Sequence, residues 1–407
     1  MRNKKIGRRE FLSGIALGAS TLAALSSFGR YSIRYSNRHL QKQIEILQRD
    51  RKAVPSLSGL LDLKGVIHLH THLSRDSQGS PEEIFRAAGE AGLQFLMTTD
   101  HNTRRIFTEG IWGKYDDLLV IRGAELIKGG QALLAINIKE YIDGHRLSIQ
   151  EAVTEIKAQG GLAFVAHPWL FKSWEVEGID GMEIYDIADT VYAQAWKAPW
   201  LAMDVLTSWK DYPEEVFLTL LSRPDYYLSK WDRLLQKRKL VGIAGNDAHQ
   251  NVRFLGRQLD PYPLDFKYVQ THLLATALEE RPLLEALQAG RSYLSFGLLA
   301  DATGFQFLAA KTAAGSGRMG GTVGGIIGGI IGMMGEAVPQ TPGLTLTVQT
   351  PQAGEIRLYR NGEVIDKVAS TRLIHPVSQK GIYRVEVSLQ IEWDQYPWII
   401  SNPIYIV

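Results

Sequence analysis

The residues best suited to chemistry follow short apolar runs. Val66-Ile67 leads into His68 and His70, and Phe95-Leu96-Met97 leads into Asp100 and His101. Residues 118–121 lead into Glu125, 162–166 into His167, and 241–244 into Asp247 and His249. A lone histidine after a strand is usually a satisfied structural residue, but five such runs in one chain point to a shared metal cluster. Neutral imidazole suits zinc, iron or manganese and carboxylate suits manganese or magnesium, so the mixed set leaves the cation open. Glu125 is the candidate for a carboxylate that bridges two cations. The chain has no cysteine, which excludes disulfides, zinc fingers and thiol nucleophiles. It also lacks a G-x-S-x-G nucleophile elbow and a G-x-x-x-x-G-K-[ST] phosphate loop. Water is then the expected nucleophile, and a bound metal lowers its pKa from about 15.7 to about 7.

Such side chains need a scaffold that brings strand ends together. Helical patterns separate most of the runs, for example over 81–90 and 148–159, with Ser80 as a cap and Pro81 at the first helical position. Alternation of strand and helix predicts a parallel sheet or barrel, in which functional groups sit at the C-terminal strand ends. His39, His145, His272 and His375 stand outside the pattern and are expected at the surface or in packing. Trp169 and Trp174 follow His167 closely, which suits a pocket wall and a core position equally.

His68-Leu69-His70, followed by Ser74 and Asp76, resembles the first motif of the PHP family, named for polymerase and histidinol phosphatase. Thr99-Asp100-His101 is similar to its second motif, and Ala166-His167-Pro168 and Asn246-Asp247-Ala248-His249 to its later ones. The resemblance spans about residues 61–300. It implies a distorted (β/α)7 TIM-like barrel with a cluster of two or three divalent metal ions (zinc, manganese or iron) at its mouth. It further implies that His68, His70 and Asp247 hold one ion. Glu125 would bridge that ion to a second, also held by His167, and Asp76, His101 and His249 would hold a third. His72 competes with His68 for the H-x-H register, but only His68/His70 puts Ser74 and Asp76 at the family's spacing. Asp100 is expected to orient a ligand, the histidine of the motif being the ligand itself. Gln131 stands where the family usually has a histidine; a neutral amide is a poorer ligand, so the second ion would be weak or the site binuclear.

The expected activity is hydrolysis of phosphate esters on a small molecule, with Asp247, His249 or His101 handling the proton. Arg75, Arg104 and Arg105 either neutralise phosphate charge or form a solvated surface. Hydrolysis of carboxyl or carbamate esters at the same site and a non-catalytic metal-holding envelope protein are the alternatives. Lys plus Arg total 45 and Asp plus Glu 43, a balance with no footprint for nucleic acid.

Residues 1–30 read as an address. Arg8-Arg9 precedes an uncharged stretch over 11–29, as in the bacterial twin-arginine signal. Export to the periplasm or beyond follows, with an uncleaved anchor that contacts the membrane through 11–29 as the other outcome. Residues 31–60 read as a polar helix and linker, and 301–342 as a glycine-rich linker. The doubled glycines of 320–335 suggest a flexible apolar loop. Residues 343–407 alternate with period two around Asn361-Gly362, a hairpin signal, and predict a small β-sandwich.

Overall fold

The structure, a computed structural model, describes residues 27–311 and 329–407. Arg8-Arg9 and the glycine pairs at 320/321 and 324/325 lie outside the described residues. No helix among the described residues is long and apolar enough to cross a membrane.

The first strands are β1 (Leu61–Leu69), β2 (Phe95–Thr98), β3 (Gly113–Tyr115), β4 (Leu118–Lys128) and β5 (Gln131–Ile136). Then come β6 (Leu162–Ala166), β7 (Gly181–Asp186) and β8 (Val241–Gly245). β1, β2 and β4 pair in parallel, and so do β6, β7 and β8. β8 returns to β1 through a bridge between Leu69 and Ala248 and a bond from the Asn246 N–H to the Ile67 carbonyl at 3.2 Å. Strand neighbours therefore run in a ring that starts and ends at β1.

Side-chain alternation explains why both faces of these strands are buried. Ile67, Met97 and Ile121 join one apolar cluster with Leu134, Phe164 and Ile243. Val66, Leu96 and Val120 point the other way, onto Ile84, Ala87 and Ala88 of the helix Pro81–Glu90. That helix begins at a full capping box: the Ser80 side chain accepts from the Glu83 N–H, and the Glu83 carboxylate accepts from the Ser80 N–H. Ser148 and Glu151 repeat the device ahead of the helix Ile149–Ala158.

Alternation of strand and helix breaks at one place. β5 runs antiparallel to both of its neighbours, β4 and β6. Gly129 and Gly130, both at positive φ, form a two-residue turn between Lys128 and Gln131 and leave no room for a helix.

The remaining strands are β9 (Arg253–Phe254), β10 (Arg257–Gln258), β11 (Gln270–Ala275), β12 (Ser292–Ser295), β13 (Gln306–Lys311), β14 (Ile330–Met333) and β15 (Ala337–Val338). β16 (Leu344–Arg360), β17 (Glu363–Pro376), β18 (Gly381–Ile391), β19 (Asp394–Ser401) and β20 (Ile404–Ile406) complete the chain. The span 301–342 thus contains β13, β14 and β15 where a linker was expected, and 330–333 is strand rather than loop. β16 and β17 form the hairpin expected around Asn361 and Gly362, which have φ of 54° and 88°. β11 pairs with β1, β12 with β11, and β19 with β12, so the C-terminal strands continue the main sheet. Asn402 locks this union: its side chain bonds both the N–H and the carbonyl of Gly242 in β8, at 2.8 and 2.9 Å. A buried charge network adds to it. Arg384 grips Asp232 through two 2.7 Å bonds and reaches Glu386, which also pairs with Arg223.

The helix Ser27–Arg49 is held to the body as well. Arg34 bonds the Thr207 carbonyl and Asp211, and Asn37 bonds Asp204.

Candidate metal centre

Most ligands arrive at or just beyond a strand end, with Glu125 inside β4 and Asp76 in the loop after β1, and three arrive on backbone that L-residues rarely adopt. His68, His167 and Asp247 have φ of 65°, 46° and 46°. At His68 the β1–β2 register slips between Ile67 and Leu69, which turns this side chain out of the strand's alternation. Non-glycine residues at positive φ persist only where their surroundings over-determine them, and they concentrate at functional sites.

Hydrogen bonds on the far side of the His68, His70, His167 and His249 rings fix their orientation. His68 Nδ1 lies 2.6 Å from Glu183 Oε1, so Nδ1 donates to that carboxylate and Nε2 is the nitrogen turned inward. Ser74 Oγ donates its one hydrogen to Asp100 Oδ1 at 2.7 Å and so accepts from His70 Nδ1 at 3.1 Å. Asp100 also takes the N–H groups of Thr71 and Ser74, and so orients the His70 loop without itself facing the cluster. His249 Nδ1 donates to the Asp247 carbonyl at 2.8 Å, and His167 Nδ1 stands 3.2 Å from Asp189 Oδ1.

The inward atoms converge. Asp247 Oδ1 is 3.3 Å from both His68 Nε2 and His70 Nε2. Glu125 lies between rings: Oε2 is 2.9 Å from His101 Nδ1 and Oε1 is 3.6 Å from His167 Nε2. Asp76 Oδ1 is 3.2 Å from His101 Nε2 and 3.6 Å from His249 Nε2. His68 Nε2, His70 Nε2, His101 Nδ1 and His249 Nε2 are buried without a hydrogen-bond partner. Orphaned acceptors of this kind are costly unless something binds them. Ligand atoms of His70, His101 and His249 lie within 4.8 Å of one another, as do those of His68, His167 and Asp247 and those of His68, His70 and Glu125. All eight residues singled out in the sequence come together, and the set fits divalent cations.

Charge and burial set the protonation of the ion-free centre. Burial opposes a proton on His68, but Glu183 and Asp247 outweigh it and raise the ring to about 9. His101 is raised to about 10, with burial opposing and Asp76 and Glu125 prevailing. His70 falls to about 4 through burial and the neighbouring His249. Asp76 falls to about 2, mainly through its bond to His101. Glu125 is held well below the carboxylate range against its burial, by His101 and His167.

Sequence reasoning missed three residues. Glu183 supports His68 and, through Oε2, takes the His167 N–H at 2.7 Å. Asp189 holds His167 and accepts from Trp169 Nε1 at 2.6 Å and the Tyr227 hydroxyl at 2.7 Å. Asp186, fully buried between them, is pushed well above the usual carboxylate range by burial, Asp189 and Glu183. Their signal was present: β7 is one more apolar run that ends in acids, at 183, 186 and 189. Gly245 makes room for them, since a Cβ there would stand 2.2 Å from Glu183 Oε1.

The other expectations sort as follows. His72 is exposed and outside the cluster. Gln131 Oε1 accepts the N–H groups of Lys172 and Ser173 at 2.7 and 2.9 Å, so its amide holds the loop after His167. Arg75 and Arg105 line a recess of about 420 Å³ beside His101 and Glu125. Arg105 is neutralised there by Glu109 at 2.7 Å, while Arg104 lies over the Tyr141 ring. Trp174 packs edge-on against Phe171. His272 is buried in a Ser–His–Asp constellation with Ser295 (2.9 Å) and Asp62 (2.8 Å). Both His272 and Ser295 are fully buried, so this relay ties β1, β11 and β12 together and has no access to substrate.

Over 119 residues the chain is 30% identical to the uncharacterized protein MJ1587 of Methanocaldococcus jannaschii, a match covering 26% of this chain and 68% of that protein. The chain belongs to the family of MJ1587. No family model matches it. Two solved structures are similar to it. One is a two-domain protein from Bacteroides vulgatus containing a predicted PHP-like metal-dependent phosphoesterase, at a TM-score of 0.43 and 14% identity, covering 87% of this chain and 98% of that one. The other, from Bifidobacterium adolescentis and put forward as a metal-dependent phosphoesterase, has a TM-score of 0.29 and 15% identity, covering 48% of this chain and 92% of that one.

Proposed function

We propose that this protein is an exported, metal-dependent phosphoesterase of the PHP type, with the ring of strands β1 to β8 as its distorted barrel. The carrying observation is the convergence of four buried histidine nitrogens, on His68, His70, His101 and His249, with the carboxylates of Glu125 and Asp247. His68, His70 and Asp247 would hold one ion, with Glu125 shared between it and a second at His167. Asp76, His101 and His249 would hold a third. When bound, such ions lower the pKa of water and offset phosphoryl charge.

The chain's own groups supply the rest. Glu183, Ser74, Asp189 and the Asp247 carbonyl keep the ring nitrogens aimed inward. Arg75, in the recess beside His101, is placed to meet a phosphate oxygen. His101 is the most exposed imidazole of the cluster, with 31% of its side chain accessible, and stands where the basic recess meets the ions it would help to hold. The twin-arginine pair would export the protein already folded.

Metal analysis of the purified protein, joined to a panel of phosphate and carboxyl esters with and without chelator, tests this reading. Two or three ions per chain and chelator-sensitive phosphate release are expected. Turnover of carboxyl esters alone, or none at all with metal present, would remove the phosphoesterase assignment. For the address, replacing Arg8-Arg9 by two lysines should leave the protein in the cytoplasmic fraction.

A further inference from the structure

The metal centre opens on a second side into a cavity of about 300 Å³ whose walls are unlike the basic recess. Asp76, Asp247 and His249 form its inner edge, and its body is apolar, with Ile187, Val191, Leu201, Val205, Phe217 and Leu220 among the lining residues. Five of these six sit in the segment that links β7 to β8 through the helices Ile187–Ala193, Ala198–Ser208 and Pro213–Leu218, and Leu220 follows directly. The volume is at the lower end of the roughly 300–1,000 Å³ typical of small-molecule sites, which are mostly apolar with a few convergent polar groups.

One such polar group is defined here. Both amide hydrogens of Asn246 are committed, to the Asp265 carbonyl at 2.7 Å and the Val269 carbonyl at 3.0 Å. Its Oδ1 is thereby fixed as an acceptor, and this atom is buried without a partner, as is Oδ1 of Asp265. Both residues line the cavity. An apolar chamber with a fixed, unmet acceptor calls for an apolar ligand that carries a hydrogen-bond donor.

We propose that this cavity receives the alcohol part of the substrate, and that this part is a single ring or short branched alkyl group with one further donor for Asn246 Oδ1. As a substrate assignment this rests on the phosphoesterase reading; as a statement about the cavity's ligand it does not. The site would therefore prefer esters of small apolar alcohols over sugar phosphates, most of whose hydroxyls would lose water against Ile187, Val191, Leu201, Val205, Phe217 and Leu220.

Two measurements on the metal-loaded protein separate the cavity from the chemistry. The first is calorimetric binding of two isomeric alcohols, 4-(hydroxymethyl)phenol and 4-methoxyphenol, which differ in the distal donor. The first should bind about tenfold more tightly, the effect of satisfying one buried acceptor. Leu201→Trp and the less buried Val191→Trp should each abolish binding while the far-ultraviolet circular dichroism stays unchanged. The second compares turnover of phenyl phosphate and a hexose phosphate. Phenyl phosphate should have the lower KM, and in either tryptophan variant that advantage should vanish. No alcohol binding, or equal binding to the tryptophan variants, overturns the cavity assignment and leaves the phosphoesterase reading standing. Alcohol binding that tryptophan blocks, with no phosphate ester hydrolysed, supports the cavity assignment and removes the phosphoesterase reading.

Discussion

Glu183 joins two ligand-bearing strand ends with one carboxylate: Oε1 is 2.6 Å from His68 Nδ1, and Oε2 takes the His167 N–H at 2.7 Å. Removing it frees the His68 ring and loosens the backbone that presents His167. Such supporting partners typically account for 10–100-fold in metal affinity. Glu183→Gln is therefore expected to weaken metal binding by about that factor with the fold intact. A competition titration against a chromophoric chelator measures it, and an unchanged affinity would contradict the role.

Removing a ligand should act more severely. His68→Ala and Asp247→Asn are each expected to lower the number of bound ions and to cut hydrolysis to the level of the chelated protein. Asparagine tolerates the φ of 46° at position 247, so unfolding should not account for the loss. Full activity with a full metal complement in either variant would end the assignment of these residues.

Metal loading should depend on pH in a definite direction. In the ion-free chain His68 and His101 are raised to about 9 and about 10, so both carry a proton at pH 7 that a bound cation must displace. Affinity should rise with pH from 6 toward 9, with protons released on binding. Calorimetry in two buffers of different ionisation enthalpy counts those protons; equal apparent enthalpies in both would refute the prediction. Without metal the sign reverses. The stability given by these raised histidines is complete below pH 6.5 and is lost as pH climbs through 9 to 10.

Glu215 offers a pH effect remote from the metal. Burial, aided by Glu214, Glu45 and Asp204, raises its carboxyl to about 7. The folded state then holds a proton that the unfolded state releases, so stability falls as pH rises from about 4.5 to about 7 and stays level above. Glu215→Gln should be neutral at pH 4 and stabilising by about 2 kcal/mol at pH 8, read as a higher Tm. A Tm difference that is the same at both pH values would show that Glu215 is not the group responsible.

Arg384 is fully buried between Asp232 and Glu386 and ties the C-terminal strands to the helix Asp225–Leu235. Arg384→Ala strands Asp232 and leaves Glu386 with Arg223 alone, and loss of one partner from a buried charge network costs about 3–5 kcal/mol. Chemical denaturation should report that loss. Arg384→Met with Asp232→Leu should recover part of it, because no charge is then left opposite an apolar group at that pair.

The ligand-bearing residues were legible because each follows a local pattern that survives in one dimension: an apolar run, then an imidazole or carboxylate. Ser80 as a cap ahead of Pro81 was legible for the same reason, since the N–H it accepts, that of Glu83, lies three residues on. Gly129-Gly130 carried an equally local hairpin signal that was passed over in favour of uniform strand–helix alternation. Gln131 could not be read from sequence, because its use depends on the N–H groups of Lys172 and Ser173, some forty residues away.

The sequence by itself determined which chemistries this chain can perform: without cysteine or a nucleophile motif, and with histidine and carboxylate at successive strand ends, it specifies a metal-holding site. The tertiary structure alone decided which of His68, His70 and His72 face inward, since a register slip at β1 and a positive φ at His68 turn the rings. It alone recruited Glu183 and Asp189 behind them, and set an apolar cavity against one side of the centre and arginines against the other. Those choices rest on contacts between residues tens to hundreds of positions apart, which form only when β8 closes on β1.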